Sequence, residues 1–154
     1  MPYSRFEWMG HVKAVEREHG AARFAIARLR DEVKADPSVL RGDDENRKAL
    51  AIAHENLEGT YLVRLFAAFE AALRSFDRAR YNDPTWDRVA AILIDATASH
   101  RRIGEQVRDS THAVRRQRNW VAHEKEWDDA ARVALAQARS NLCRFLSHLP
   151  DEWE

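Results

Sequence analysis

The densest group of residues that could do chemistry lies between Arg101 and Lys125. This segment holds seven basic and three acidic side chains, a surplus of four positive charges in a chain whose 25 Lys and Arg balance its 25 Asp and Glu. At helical spacing one face carries His112, Arg115, Arg116, Asn119 and His123. Because arginine binds phosphate bidentately and imidazole titrates near neutral pH, this face suits a phosphate-bearing ligand. A solvated charged face without a ligand has the same composition.

Arg118, Asn119 and His123 are the candidate catalytic side chains. Asn119 and His123 are four residues apart and share a face, so the amide can orient the imidazole. Arg118 and His123 are five residues apart, which is about 140° around a regular helix. They converge only through the long arginine side chain, a distorted helix end or a partner subunit. In the alternative interpretation, Arg118 pairs with an acid such as Glu124 or Asp128, and His123 is a surface residue.

Residues 118–123, with the sequence RNWVAH, resemble the Arg-x(4–6)-His motif of the HEPN superfamily. They have the form with Asn directly after Arg and a small residue before His. A second stretch, from Leu57 to Glu70, resembles the long apolar helix with an aromatic-Glu pair that precedes the motif in related families. The resemblance covers residues 45–148 in architecture but only these two stretches in residues. It implies an α-helical bundle of the kind found in prokaryotic toxins, abortive-infection proteins and CRISPR-associated ribonucleases.

The resemblance also implies a metal-independent endoribonuclease, acting as a toxin of a toxin–antitoxin or phage-defence system. In that reaction the ribose 2′-hydroxyl attacks the adjacent phosphate and leaves a 2′,3′-cyclic phosphate and a 5′-hydroxyl. His123 would act as general acid or base, Arg118 would hold the phosphate, and Asn119 would position either group. Contacts to flanking RNA phosphates would come from His112, Arg115 and Arg116.

The expected partners follow from the same reaction. It needs one group that accepts a proton and another that donates one, whereas each chain has a single motif histidine. We therefore expect a symmetric homodimer in which the two motif helices face each other, as in known HEPN ribonucleases. RNA is the expected substrate, and a toxin would have a cognate antitoxin protein. The alternative function is a non-catalytic HEPN-like module that dimerises and binds a nucleotide or a protein partner.

Three other groups of side chains have residue types found in functional sites. Glu70 stands among apolar residues, where an isolated carboxylate is costly, so it either pairs with an arginine, such as one on the motif helix, or supports catalysis. Cys143 lies beside Leu142 of an apolar stripe, which favours a packed, inert thiol. A third group resembles a metal cluster in composition but fits the start of a helix better, and comprises His123, Glu124, Glu126, Asp128 and Asp129. We expect neither a metal nor a cofactor.

These residues must be positioned by helices. Ser4 and Glu7 form a capping-box pattern that starts the first helix, and a second, central helix is predicted from Asp44 to Tyr81. A third helix is predicted to start at Asp83-Pro84, and a fourth to run from about Glu105 to Glu124. The last is predicted to begin near Asp128 and Asp129, to carry an apolar stripe to Leu149 and to end at Pro150.

The fold class predicted from this pattern is all-α, an antiparallel four- to five-helix bundle that is HEPN-like. The 154 residues form a single domain, with residues 1–40 as an N-terminal helical extension and residues 43–149 as the core bundle. Zero net charge excludes a protein that binds nucleic acid by being basic throughout. The longest apolar run, Val89 to Ile94, is too short to span a bilayer, and the N-terminus has no signal-peptide core. We expect a cytoplasmic protein without a membrane partner.

Overall fold

The computed structural model describes residues 3–40, 42–123 and 132–153. Within these ranges the chain forms five α-helices: α1 (Arg5–Ala35), α2 (Asp44–Tyr81), α3 (Ala90–Arg101), α4 (Glu105–His123) and α5 (Leu135–Leu146). The predicted all-α bundle is confirmed. No strand is predicted from the sequence pattern, yet two short strands, β1 (Tyr3–Ser4) and β2 (Glu152–Trp153), pair antiparallel and join the two ends of the described chain.

The first two helices start where local capping predicts. Ser4 Oγ accepts a hydrogen bond from the Glu7 backbone N–H at 3.2 Å, and the Glu7 carboxylate accepts one from the Ser4 N–H at 2.8 Å. This capping box occupies donors that a helix start would otherwise leave unpaired. Asp43 caps α2 in the same way, accepting from the Asn46 N–H at 3.0 Å. The helix ends at Tyr81 and is followed by Asn82, whose φ of 51° lies in the left-handed region.

The third helix does not start at Asp83-Pro84, so that prediction is wrong. The Asp83 carboxylate instead accepts hydrogen bonds from the backbone N–H and the hydroxyl of Thr85, which closes a turn. The Trp86 indole N–H donates to the buried Asp77 at 2.9 Å and ties this turn to α2. As a result α3 begins only at Ala90.

The last helix also differs from its prediction. The predicted caps Asp128 and Asp129 lie outside the described residues, and α5 begins at Leu135. It ends at Leu146, four residues before Pro150, and two backbone hydrogen bonds then turn the chain as far as Leu149.

The core forms around α2, which contacts each of the other four helices. Its half from Leu62 to Phe76 is buried over a wide arc. Two adjacent apolar stripes in the sequence predict this, one through Tyr61, Leu65, Ala68 and Ala72 and the other through Leu62, Phe66, Phe69, Leu73 and Phe76. The N-terminal helix adds Val12 and Val15 to the same core, so the first part of α1 packs with the bundle. None of the helices within the described ranges combines the length and apolarity of a membrane span.

Candidate functional site

Arg118 lies on the same face of α4 as the residues that pack into the core. Its position continues the stripe of Val107, Thr111 and Val114, all of which are buried. This spacing of four and three residues turns Arg118 toward α2. There the guanidinium lies over the Phe66 ring, with Cζ 4.7 Å from the ring centroid. Arg118 is therefore an inward-facing arginine at the edge of the core.

Two hydrogen bonds fix the Arg118 guanidinium. Nη2 donates to Glu70 Oε2 at 2.8 Å, and Nη1 donates to Asn119 Oδ1 at 2.9 Å. The side chains of Arg118 and Glu70 are 21% and 17% exposed, so the ion pair is largely screened from water. A charge-assisted hydrogen bond in such a setting is stronger than one at an open surface. The structure thus brings together Arg118, Asn119 and Glu70.

Glu70 is shared between two arginines. Its other oxygen, Oε1, accepts from Arg74 Nη2 at 2.6 Å, and Arg74 also pairs with Asp87 in the turn before α3. The chain Arg118–Glu70–Arg74–Asp87 thus balances two guanidiniums against two carboxylates. Of the roles left open for Glu70, the structure shows the pairing with an arginine of the motif helix. Glu124 and Asp128, the other acids considered for Arg118, lie outside the described residues.

His123 is the last residue of α4. The helix extends to this position, so residues 118 and 123 are about 140° apart around its axis. Position 123 falls on the face of Arg116 and Asn119, whereas Arg118 faces α2. The side chain of His123 lies outside the part of the chain that the structure describes. On this regular helix, positions 118 and 123 of one chain lie on different faces.

The first residues of the basic face of α4, His112 and Arg115, are connected to α3 by hydrogen bonds. His112 Nε2 lies 2.9 Å from Asp95 Oδ1, and Arg115 Nε donates to His112 Nδ1 at 3.3 Å. Because Nδ1 accepts from the guanidinium, the imidazole proton is on Nε2 and is donated to Asp95. His112 is 14% exposed and Arg116 is exposed. Of the three predicted RNA contacts, Arg116 is therefore the most accessible.

A cleft of about 1000 Å³ lies beside the motif, between α2, α4 and the chain leading into α5. Trp120 and Val121 of the RNWVAH segment line it. At its floor the helices approach so closely that a Cβ on Gly59 would lie 2.9 Å from Val121 Cγ1. Glycine permits this approach because it has no side chain. Gln117 and Val133 also line the cleft. Gln117 Nε2 donates a hydrogen bond to the Val133 carbonyl at 3.1 Å, and Gln117 Oε1 accepts one from the Val133 N–H at 2.8 Å.

Cys143 and the acidic cluster give no second site among the described residues. Cys143 is a free thiol in the core, and burial raises its pKa above the ordinary value. Residues 124–131, which include the acids of the group that resembles a metal cluster in composition, are outside the described ranges. Within those ranges no group of three or more His, Cys, Asp or Glu could hold a metal ion.

Cys143 is expected to react slowly with iodoacetamide at pH 8 in the folded protein and quickly in denaturant. The raised pKa leaves little thiolate, the reactive form, and the surrounding core blocks the reagent. Mass spectrometry of the alkylated protein over time measures both rates. Equal rates in the two conditions would contradict a packed thiol.

The site also contains residues that the sequence did not indicate. Arg74 follows Glu70 by four residues, and this spacing on a helix is a usable signal for their ion pair. Asp87 and Asp95 come from a turn and from α3, and only the tertiary fold places them near Arg74 and His112. The chain matches no protein-family model, no curated protein and no solved structure. The HEPN resemblance therefore rests on the two segments of this sequence.

Proposed function

We propose that this protein is a metal-independent endoribonuclease of the HEPN type, acting as a toxin of a toxin–antitoxin or phage-defence system. The observation that carries the proposal is the RNWVAH segment at the end of α4, whose Arg118 is held in place by Glu70 and Asn119. A guanidinium held before substrate binds needs little reorganisation when charge develops in the transition state.

Arg118 would bind the phosphate that is attacked. Guanidinium has five N–H donors, of which the bonds to Glu70 and Asn119 use two. Glu70 accepts hydrogen bonds from both Arg118 and Arg74. It therefore orients Arg118 but neutralises only part of its positive charge. The incoming phosphate would then be the second anion on this guanidinium. Exposed Arg116 would contact a neighbouring phosphate and add affinity without sequence preference.

His123 would transfer the protons. The reaction needs a base for the 2′-hydroxyl and an acid for the leaving 5′-oxygen. Since positions 118 and 123 point about 140° apart on one helix, a second copy related by a two-fold axis near His123 would supply the complementary imidazole. Trp120 and Val121, both half-buried in the single chain, would contribute apolar contact to that association.

A second candidate is a non-catalytic helical module that dimerises and binds a nucleotide or a protein partner. One specific observation favours it: Arg118 follows the core stripe of α4 and already has an anionic partner in Glu70. An arginine of this kind can serve packing alone. The two candidates differ in one outcome, because only the first predicts cleaved RNA.

Purified protein is expected to cleave tRNA or mRNA in the presence of excess EDTA, because the proposed chemistry uses only side chains. The measurement is gel analysis of end-labelled RNA, with the His123→Ala protein prepared in parallel. The variant should leave the RNA intact. Cleavage that EDTA abolishes and one divalent ion restores would overturn the metal-independent mechanism, and equal cleavage by the variant would exclude His123.

A further inference from the structure

The outer halves of α1 and α2 form an arm that contributes no buried side chain to the core. The arm comprises residues 16–35 of α1 and 44–61 of α2. On these helices the fully buried apolar side chains stop at Val15 and resume at Leu62. Each half is about 27–30 Å long at 1.5 Å per residue. Two helices alone cover only one stripe on each other, so among the described residues most other side chains of the arm are exposed.

The outer face of α1 in the arm has an apolar centre. Phe24 is 70% exposed, whereas its neighbours Ala22 and Ile26 are half-buried. Two residues along a helix correspond to about 200°, so Phe24 lies opposite the face that contacts α2. Beside it is a shallow groove of about 500 Å³, lined by Phe24, Ala27, Arg28, Asp31, Glu32 and Ala35.

We propose that this groove binds the same groove of a second copy of the chain. In an antiparallel pair with its two-fold axis at the level of Leu29 and Arg30, Phe24 of one chain faces the partner's Ala35. In the same register Arg28, which also pairs with Glu32 of its own helix at 3.0 Å, faces the partner's Asp31. The large apolar ring thus meets a small apolar residue, and a positive charge meets a negative one. Symmetry repeats both contacts, which is how a self-complementary patch selects its own copy.

The contact is separate from the RNA site of the proposed function. The ion pair between Arg64 and Glu18 aligns the antiparallel helices α1 and α2, so Glu70 lies at the level of Val12. Phe24 is twelve residues further along α1, about 18 Å away, and on the side opposite α2. No residue of α4 takes part, so loss of the arm contact and loss of RNA cleavage are separate outcomes.

Light scattering with Phe24→Ser tests the contact. Wild-type protein is expected to be an oligomer, and Phe24→Ser is expected to halve its mass, from dimer to monomer or from tetramer to dimer. The matched control is Phe6→Ser, on the same helix and 66% exposed, which should keep the wild-type mass. Both side chains are mostly solvated, so circular dichroism should be unchanged. A monomeric wild type, or an unchanged mass for Phe24→Ser, overturns the proposal.

Cysteine cross-linking tests the register. The variant with Arg28→Cys and Asp31→Cys should form a covalent dimer on oxidation, because these positions face each other across the axis. The native Cys143 is buried and does not interfere. The control variant carries Arg17→Cys and Gly20→Cys, both exposed on α1 outside the contact. No covalent dimer from the first variant, or equal dimer from both, overturns the proposed pairing.

Discussion

The Arg118→Ala and His123→Ala proteins are each expected to cleave RNA about 10²–10⁴ times more slowly than the wild type. Arg118→Ala removes the guanidinium that would stabilise charge on the phosphate oxygens, and His123→Ala removes the proton-transfer group. Rates are measured under single-turnover conditions with labelled RNA. In bacteria, expression of the wild type should arrest growth, and either substitution should relieve the arrest.

Arg116→Ala is the matched control for these two variants. Arg116 is exposed on the same helix and would contact a flanking phosphate only. Its loss should weaken RNA binding and reduce the slope of log affinity against log salt by about one, while the single-turnover rate at saturation stays near that of the wild type. If folded Arg118→Ala and His123→Ala proteins remain as active and as toxic as the wild type, the assignment of these residues is wrong.

Replacing Glu70 by alanine is expected to lower the free energy of unfolding by about 2 kcal/mol, because Arg118 and Arg74 lose their shared carboxylate in a largely buried setting. For a domain of this size that loss corresponds to a fall in Tm of about 4–8 °C. Urea denaturation followed by circular dichroism gives the free energy. Glu55→Ala, exposed on the same helix, should change it by no more than about 0.5 kcal/mol.

A double-mutant cycle then isolates the pair. With Arg118→Met as the second substitution, the combined loss should be smaller than the sum of the two single losses by about 1–2 kcal/mol. The reason is that removal of both partners leaves no uncompensated charge between them. Strictly additive losses would show that Glu70 and Arg118 do not stabilise the fold through their ion pair.

Local patterns were sufficient for some elements of this fold and insufficient for others. The bounds of α2 follow from the Asp43 cap and two apolar stripes, both of which are readable in the sequence. The pattern at Asp83-Pro84 is equally typical of a helix start, yet the bond from Trp86 to Asp77 holds that segment as a turn. This bond depends on the packing of the turn against α2, so a local capping rule does not reveal it.

Some features of the candidate site can likewise be predicted from local spacing, and others cannot. The spacing of Val107, Thr111, Val114 and Arg118 could have indicated that Arg118 faces inward. The sequence could offer Glu70 as a partner for an arginine, but 48 residues separate it from Arg118 and many arginines were available. Asp95 lies 17 residues from His112, and its carboxylate joins that imidazole to α3 only in the folded chain. Neither of these pairings has a signal in local spacing.

The ends of the cleaved RNA test the proposed function most directly. After the cleavage position of a short RNA is mapped, the same RNA is made with a single 2′-deoxy nucleotide on the 5′ side of that bond. We predict that the all-ribose RNA gives a 2′,3′-cyclic phosphate and a 5′-hydroxyl, identified by mass spectrometry, and that the deoxy substitution stops cleavage at that position alone. Cleavage of the deoxy-substituted bond, or products with a 5′-phosphate, would contradict attack by the 2′-hydroxyl.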